Sequence, residues 1–233
     1  MQKKLIVICA AIILSLAVFS CGPKGDSGAA GPTGLPGTGY LVISFQNGVY
    51  PDAAYAECED ARIWSDTEQN SNYGGDTYLQ LGRTSGGELK RGLMKFDNLT
   101  IPTGAVVTDA YLTVYVNNIL SGVRDFALYE LNADWIENQA TWNVYSTANS
   151  WASPGGDFNA AAISNTTTLD SVGYHTFRIN ASVVQNWLDN TENNYGFIIR
   201  KTDETTDGEM IFRSTEYSTL EQRPRLTVYY TAP

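Results

Sequence analysis

The stretch AYLTVYV, residues 110–116, alternates aliphatic side chains with threonine and tyrosine. Successive side chains of a β-strand point to opposite faces of the sheet. Leu112, Val114 and Val116 would therefore face a core, while Thr113 and the tyrosines would face the other way. This stretch predicts a β-strand with one buried face.

Similar short stretches recur along the chain, each bounded by Gly, Asn, Asp or Pro. In the last of them, Leu226, Val228 and Tyr230 alternate with Arg225, Thr227 and Tyr229. Such runs predict strands at residues 40–45, 60–64, 76–82, 89–97, 105–117, 123–131, 172–179, 195–201, 209–215 and 224–231.

One segment follows a helical period instead. Val183 and Trp187, like Val184 and Leu188, are four residues apart, and Asn180 is a suitable N-cap. We expect a short helix near residues 181–189, lying over an open end of the sheets. The fold class that follows is all-β, an antiparallel jelly-roll-like β-sandwich with one short helix.

The first twenty residues read as an export signal. Lys3 and Lys4 precede an apolar run of 14 residues, Leu5 to Val18, which is shorter than the roughly 18–20 residues that span a bilayer. The run closes on Cys21 and resembles the lipobox of bacterial lipoproteins, which implies cleavage before Cys21 and its acylation. An ordinary signal peptide with an incidental cysteine is the alternative.

Glycine then occupies every third position from residue 22 to residue 37, as in collagen. The complete triplets are few, so the segment is either a flexible spacer or a weak trimerisation element. The expected organisation is a lipoprotein signal peptide at 1–20, a lipidated cysteine with a collagen-like spacer at 21–39, and one β-sandwich domain at 40–233.

Composition excludes several function classes. The formal net charge of −10 and pI near 4.5 argue against a nucleic-acid partner. Cleavage before Cys21 would leave 13 basic and 25 acidic residues, a charge of −12. Catalysis through a Ser-His-Asp triad would need His175, which shares a strand face with Phe177 and is expected to be packed or half-buried, and no G-x-S-x-G motif is present.

Short motifs follow one another in a definite order: DARI (60–63), NYG (72–74), LQLG (79–82), KRGLMKFD (90–97), IPTGA (101–105), AYL (110–112), WIE (135–137), TWN (141–143), VVQNW (183–187), NYG (194–196), FRSTE (212–216) and RPRL (223–226). This succession resembles the DNRLRE domain, which is related to disaggregatase repeats and to an alginate-binding carbohydrate-binding module family. The resemblance covers about residues 55–232. It implies a β-sandwich that serves as an accessory or surface module, often beside polysaccharide-degrading enzymes. The absence of a proline soon after TWN departs from the family pattern and leaves the shape of the following loop open.

Basic residues on the predicted strands are candidates for ligand binding. Arg91 and Lys95 share a strand face about 13 Å apart, at about 3.3 Å per residue. With residues of neighbouring strands they could line a groove that pairs with the carboxylates of a uronic-acid polymer; these residues are Arg62, Arg200 and Arg213. Ion pairs within the sandwich are the alternative.

Aromatic and acidic residues offer further candidates. Trp64 and Trp151 lie in polar surroundings, where Trp64 could contact a sugar, while Trp135 and Trp142 are either a sugar platform or core residues. Trp187 is expected in the core. Calcium is a possible cofactor at Asp60, Asp76 or the acidic run 203–209, although no calcium-loop spacing is matched.

Together these features predict a non-catalytic, polysaccharide-binding surface module. It would be lipid-anchored in the bacterial cell envelope, at the outer membrane or the cell surface. The alternatives are a structural or adhesive surface lipoprotein with a protein partner and, third, a polysaccharide lyase or hydrolase.

Overall fold

The computed structural model describes residues 39–233, which are built mainly from β-strands. The strands are β1 (Leu41–Phe45), β2 (Cys58–Trp64), β3 (Tyr78–Arg83), β4 (Leu89–Phe96), β5 (Val106–Gly122), β6 (Asp125–Leu131), β7 (Val144–Ser146), β8 (Asn149–Ser150), β9 (Phe158–Ala162), β10 (Thr167–Thr168), β11 (Gly173–Ile179), β12 (Phe197–Lys201), β13 (Gly208–Arg213) and β14 (Arg225–Thr231). One α-helix occurs among these residues, α1 (Ala181–Leu188). No helix within them is both long and apolar enough to cross a membrane.

Every strand predicted from the alternation is present, with ends shifted by five residues or fewer. The all-β fold class is therefore confirmed. Four further strands, β7 to β10, were not predicted from the sequence. They are two to five residues long; β8, β9 and β10 are mostly exposed and β7 is half-buried to buried, so none shows an alternation of buried and exposed side chains.

Twelve of these strands form one large antiparallel sheet that curls on itself, and β7 pairs with β8 in a separate two-stranded sheet. Strands β1, β14, β5 and β11 are hydrogen-bonded side by side, and we call them layer A. Strands β2, β4, β12 and β6 form layer B in the same way. Strands β13 and β3 continue the sheet from β5 to β4 and so join the two layers.

The main core lies between the layers. Leu112 and Val114 of layer A belong to the same buried cluster as Met94 and Phe96 of layer B. Phe96 also stacks on Phe197, with ring centroids 6.5 Å apart. Full burial of one such side chain contributes about 1.5–3 kcal/mol, so this cluster is the main source of stability.

Helix α1 is confirmed and packs against layer A at the start of β5. Val183, Val184 and Trp187 are buried, as the four-residue spacing predicts. The Gln185 side-chain oxygen accepts the backbone N–H of Val107 at 2.8 Å. Asn180 occupies the N-cap position but makes no side-chain capping bond.

A second core covers the outer face of layer B. Residues 132–157, which we call the tryptophan loop, bring three buried side chains, Trp135, Trp142 and Trp151, against that face. Trp135 donates its indole N–H to the carbonyl of Tyr195 at 3.0 Å. Trp135 and Trp142 are thus core residues rather than a sugar platform.

The two NYG motifs stabilise this arrangement through hydrogen bonds from their asparagine side chains. The Asn72 side-chain amide donates to the carbonyls of Glu137 and Ala140, both at 2.8 Å. A Cβ on Gly74 would lie 2.2 Å from the Glu137 carbonyl oxygen, so only glycine permits this close approach. In the second motif, Asn194 donates to the Phe96 carbonyl at 2.7 Å. Asn72, Gly74 and Asn194 of the two NYG motifs therefore have structural roles.

Candidate functional site

Arg91 lies under the tryptophan loop in an ion pair. Its guanidinium donates two hydrogen bonds to Glu204, at 2.8 and 2.6 Å, and a third to the carbonyl of Gly155 at 2.6 Å. It also lies over the ring of Trp142, 4.9 Å from the ring centroid. Only 11% of the side chain is exposed. Arg200 joins the same carboxylate at 2.9 Å.

Lys95 is engaged in the same way. Its ammonium lies 3.2 Å from Asp97 and 3.5 Å from Glu59, and 10% of the side chain is exposed. Burial opposes the charge of the ammonium, but the carboxylates of Asp97, Glu59 and Asp134 outweigh it and raise the pKa of Lys95. Arg91 and Lys95 thus occupy internal ion pairs, the alternative that the sequence left open.

Arg62, Trp64 and Arg213 lie around a different surface, at the ends of β2 and β13. The Arg62 guanidinium is almost fully buried and bonds Asp76 at 3.2 Å. Its central carbon lies 4.1 Å from the ring centroid of Tyr73, 5.3 Å from that of Trp64 and 5.4 Å from that of Tyr78. Arg62 therefore fixes the orientation of three aromatic rings.

The neighbouring strands extend this group of rings. Lys90 lies 4.1 Å from the Trp64 ring centroid and bonds Glu209 at 2.8 Å. Arg213 is paired across the sheet with Tyr78, so the two side chains share a face, and it lies 3.8 Å from the Tyr217 ring centroid. We call this surface the arginine–aromatic cluster, made of Arg62, Trp64, Tyr73, Tyr78, Arg213 and Tyr217.

Comparison with known protein families decides the class of the chain. The profile of carbohydrate-binding module family 96 matches residues 51–230. The chain belongs to this family. A search of curated proteins finds no match. This match is consistent with the resemblance to carbohydrate-binding modules that the sequence motifs suggested. Membership of the family indicates carbohydrate binding.

The arginine–aromatic cluster of the family 96 module combines partly exposed rings with buried N–H groups. Trp64, Tyr73, Arg213 and Tyr217 are half-buried and Tyr78 is 36% exposed, so ring surface remains open to contact. The cluster also holds N–H donors that have no hydrogen-bond partner among the described residues, at Nε of Arg62, Nε1 of Trp64 and Nε of Arg213. Buried donors of this kind are rare in proteins.

The acidic residues considered for calcium make other contacts. Asp76 pairs with Arg62, Asp207 with Arg83 and Glu209 with Lys90. Residues 39–233 contain no group of three or more Asp, Glu, His or Cys side chains placed to hold a metal ion. The calcium prediction therefore gains no support from the described residues.

Asp60 instead belongs to a group of carboxyls beside the tryptophan loop. It is fully buried, and burial together with Glu216 raises the pKa of Asp60 well above its usual range. Glu137 accepts the Asp60 backbone N–H at 3.0 Å. Burial raises the pKa of Glu137 to about 7, with a further contribution from Glu216. Burial likewise raises the pKa of the nearby free thiol of Cys58.

The sequence identified Arg62, Arg213 and Trp64 but not the tyrosines around them. In the sequence, Tyr73 is only the middle residue of an NYG motif, and Tyr78 is one residue of the strand predicted at 76–82. Their alignment with Arg62 depends on the curl of the sheet, which the sequence does not reveal. His175 is half-buried, with Nε2 2.7 Å from the Ser171 carbonyl oxygen, as its strand face predicted.

Proposed function

We propose that this family 96 module binds a polysaccharide through the arginine–aromatic cluster. Its aromatic rings are partly exposed and are held in position by the buried Arg62 guanidinium, and this observation carries the proposal. Rings held in this way meet the apolar face of a sugar with little loss of side-chain entropy. The half-buried Arg213 guanidinium lies beside the Tyr217 ring, and its N–H groups suit the hydroxyl and carboxylate oxygens of a sugar.

The predicted anchor fits this role. Acylation at Cys21 would hold the module on the bacterial cell envelope, and the Gly-X-Y segment after it would separate the domain from the lipid. The protein would then be a non-catalytic surface receptor for a polysaccharide. Weak association of three Gly-X-Y segments would present several modules together and raise avidity.

Affinity electrophoresis of the full-length chain, in mild detergent and against neutral and acidic polysaccharides, tests the proposal. We expect Trp64→Ala and Tyr78→Ala each to weaken binding by up to about tenfold, from ring contacts of about 0.5–1.5 kcal/mol. Tyr40→Ala is the matched control, because Tyr40 is 66% exposed and lies outside the cluster.

Melting temperatures separate loss of binding from loss of fold, because Trp64 also contacts Lys90. Unchanged binding in both cluster variants would place the sugar elsewhere. Failure of the unaltered chain to bind any polysaccharide, with specific binding of one protein partner, would favour the adhesive alternative.

A further inference from the structure

The outward face of layer A carries an ordered array of tyrosine, threonine and arginine side chains. Directly paired residues of neighbouring strands share a face, and the register places Arg225 beside Thr113 and Thr113 beside Thr176. Further along the same strands, Thr227 lies beside Tyr111, and Tyr115 lies beside Tyr174.

Two tyrosine pairs mark the ends of this array. Tyr111 meets Tyr229 edge to face, with ring centroids 5.9 Å apart. Tyr115 meets Tyr174 in the same geometry at 5.0 Å. Tyr111 and Tyr115 are four residues apart on β5, or about 13 Å. Tyr174 is 57% exposed, so the array presents ring surface to solvent.

A shallow cleft of about 480 Å³ lies beside Tyr174, and Arg225, Thr113 and Thr176 line it together with Tyr50 and Glu221. A second depression of about 390 Å³ shares Arg225, Thr113 and Thr176 with it and extends toward Tyr229. Together they form a continuous trough across layer A. No residue of this trough belongs to the arginine–aromatic cluster.

Arg225 gives the trough a positive charge that takes part in no ion pair among the described residues. Among residues 39–233, no carboxylate lies within 4 Å of its guanidinium nitrogens, and its Nε has no hydrogen-bond partner. Glu221 borders the cleft but forms no such ion pair. Arg178, on the same face, is paired with Asp109. In a chain with a net charge of −10, an uncompensated arginine between hydroxyl groups suits an anionic ligand.

From this geometry we propose that the trough is a second glycan-binding surface, which takes a sugar chain bearing a carboxylate or sulfate group. The tyrosine rings would contact the sugar faces, the threonine hydroxyls would bond sugar hydroxyls, and Arg225 would pair with the anionic group. The inference rests on the proposed function, because both surfaces would act in glycan binding. A module with two surfaces would hold one chain at two points or join two chains.

Binding of the full-length chain to three soluble polymers tests this second surface: polygalacturonate, dextran sulfate and unmodified dextran. We expect Arg225→Gln to weaken binding to an anionic polymer by about tenfold, from the loss of a charge-assisted hydrogen bond. Arg178→Gln is the matched control, because it removes the same charge from the same face outside the trough. Tyr174→Ala should weaken binding, while Tyr174→Phe, which keeps the ring, should preserve most of it.

The outcomes separate the two surfaces. Loss in Arg225→Gln with retention in Arg178→Gln supports the trough, and the polymer affected identifies carboxylate or sulfate as the recognised group. Equal weakening in both arginine variants would mean that the change in net charge alone explains the lost binding, and it would overturn the proposal. If Trp64→Ala abolishes binding and Arg225→Gln has no effect, the proposed function stands and the second surface does not. If Arg225→Gln abolishes binding and Trp64→Ala has no effect, the trough is the binding site and the arginine–aromatic cluster is not. Self-association that Tyr174→Ala removes, without polymer binding, would make the face an interface between copies and would overturn the inference.

Discussion

Replacing Arg91 with alanine should destabilise the fold rather than remove a ligand contact. Arg91→Ala breaks two hydrogen bonds to Glu204 and one to the Gly155 carbonyl, and it removes the cation from the face of Trp142. Breaking a buried ion pair costs about 3–5 kcal/mol. We expect the lower end, about 3 kcal/mol, because Glu204 keeps its contact with Arg200. For a domain of this size the melting temperature should fall by about 6–12 °C.

Thermal unfolding followed by circular dichroism measures this shift. Arg178→Ala is the control, because that side chain is 65% exposed and solvent screens its pair with Asp109. A double-mutant cycle with Glu204→Gln should give a coupling energy of about 1.5–3 kcal/mol. An unchanged melting temperature in Arg91→Ala, together with lost polysaccharide binding, would refute this reasoning and restore Arg91 to an open groove.

Three other outcomes are expected. Gly74→Ala should lower the free energy of unfolding, measured in urea, by about 1–3 kcal/mol, because its Cβ would lie 2.2 Å from a backbone oxygen. Gly75→Ala is the control and should lower it much less, because no atom lies within 4 Å of the added Cβ. Equal losses in the two variants would contradict the argument from close approach. The pKa of Glu137 is raised in the folded state to about 7 from 4.5, so the folded state binds more protons, and the free energy of unfolding should fall as pH rises from about 4.5 to 7. Glu137→Gln should weaken this dependence of the free energy of unfolding on pH, measured by denaturation at several pH values. An unchanged dependence would contradict the raised pKa of Glu137. Cys21→Ser should release the protein from the membrane or block its processing, and a mature-sized variant still in the membrane fraction would argue against lipidation.

The sequence predicts the strands well because alternation is a local property of a half-buried strand. Residues 110–116 show this, since each side chain lies on the face that its position in the alternation predicts. Helix α1 was equally accessible, because Val183, Val184 and Trp187 form one buried stripe.

The candidate site was only partly predictable. Alternation correctly placed Arg91 on the outer face of its strand, but it does not show whether another segment covers that face. The cover comes from the tryptophan loop, which packs through irregular backbone and three widely spaced indoles. Arg62 and Tyr78 become neighbours only through the curl of the sheet, which depends on long-range pairing.

The pairing of β1 with β14 determines how the domain meets mechanical tension. A pull on the chain upstream of Leu41 reaches this ladder first, at the Leu41–Tyr230 pair. Leu41 and Val42 are exposed, whereas Phe45 at the other end of the strand is buried in the main core. Detachment would begin at Leu41 and be opposed at Phe45, after about 13 Å of added chain length. Phe45 is therefore the side chain that opposes stretching, and the first part of the domain to yield is an edge strand outside the arginine–aromatic cluster.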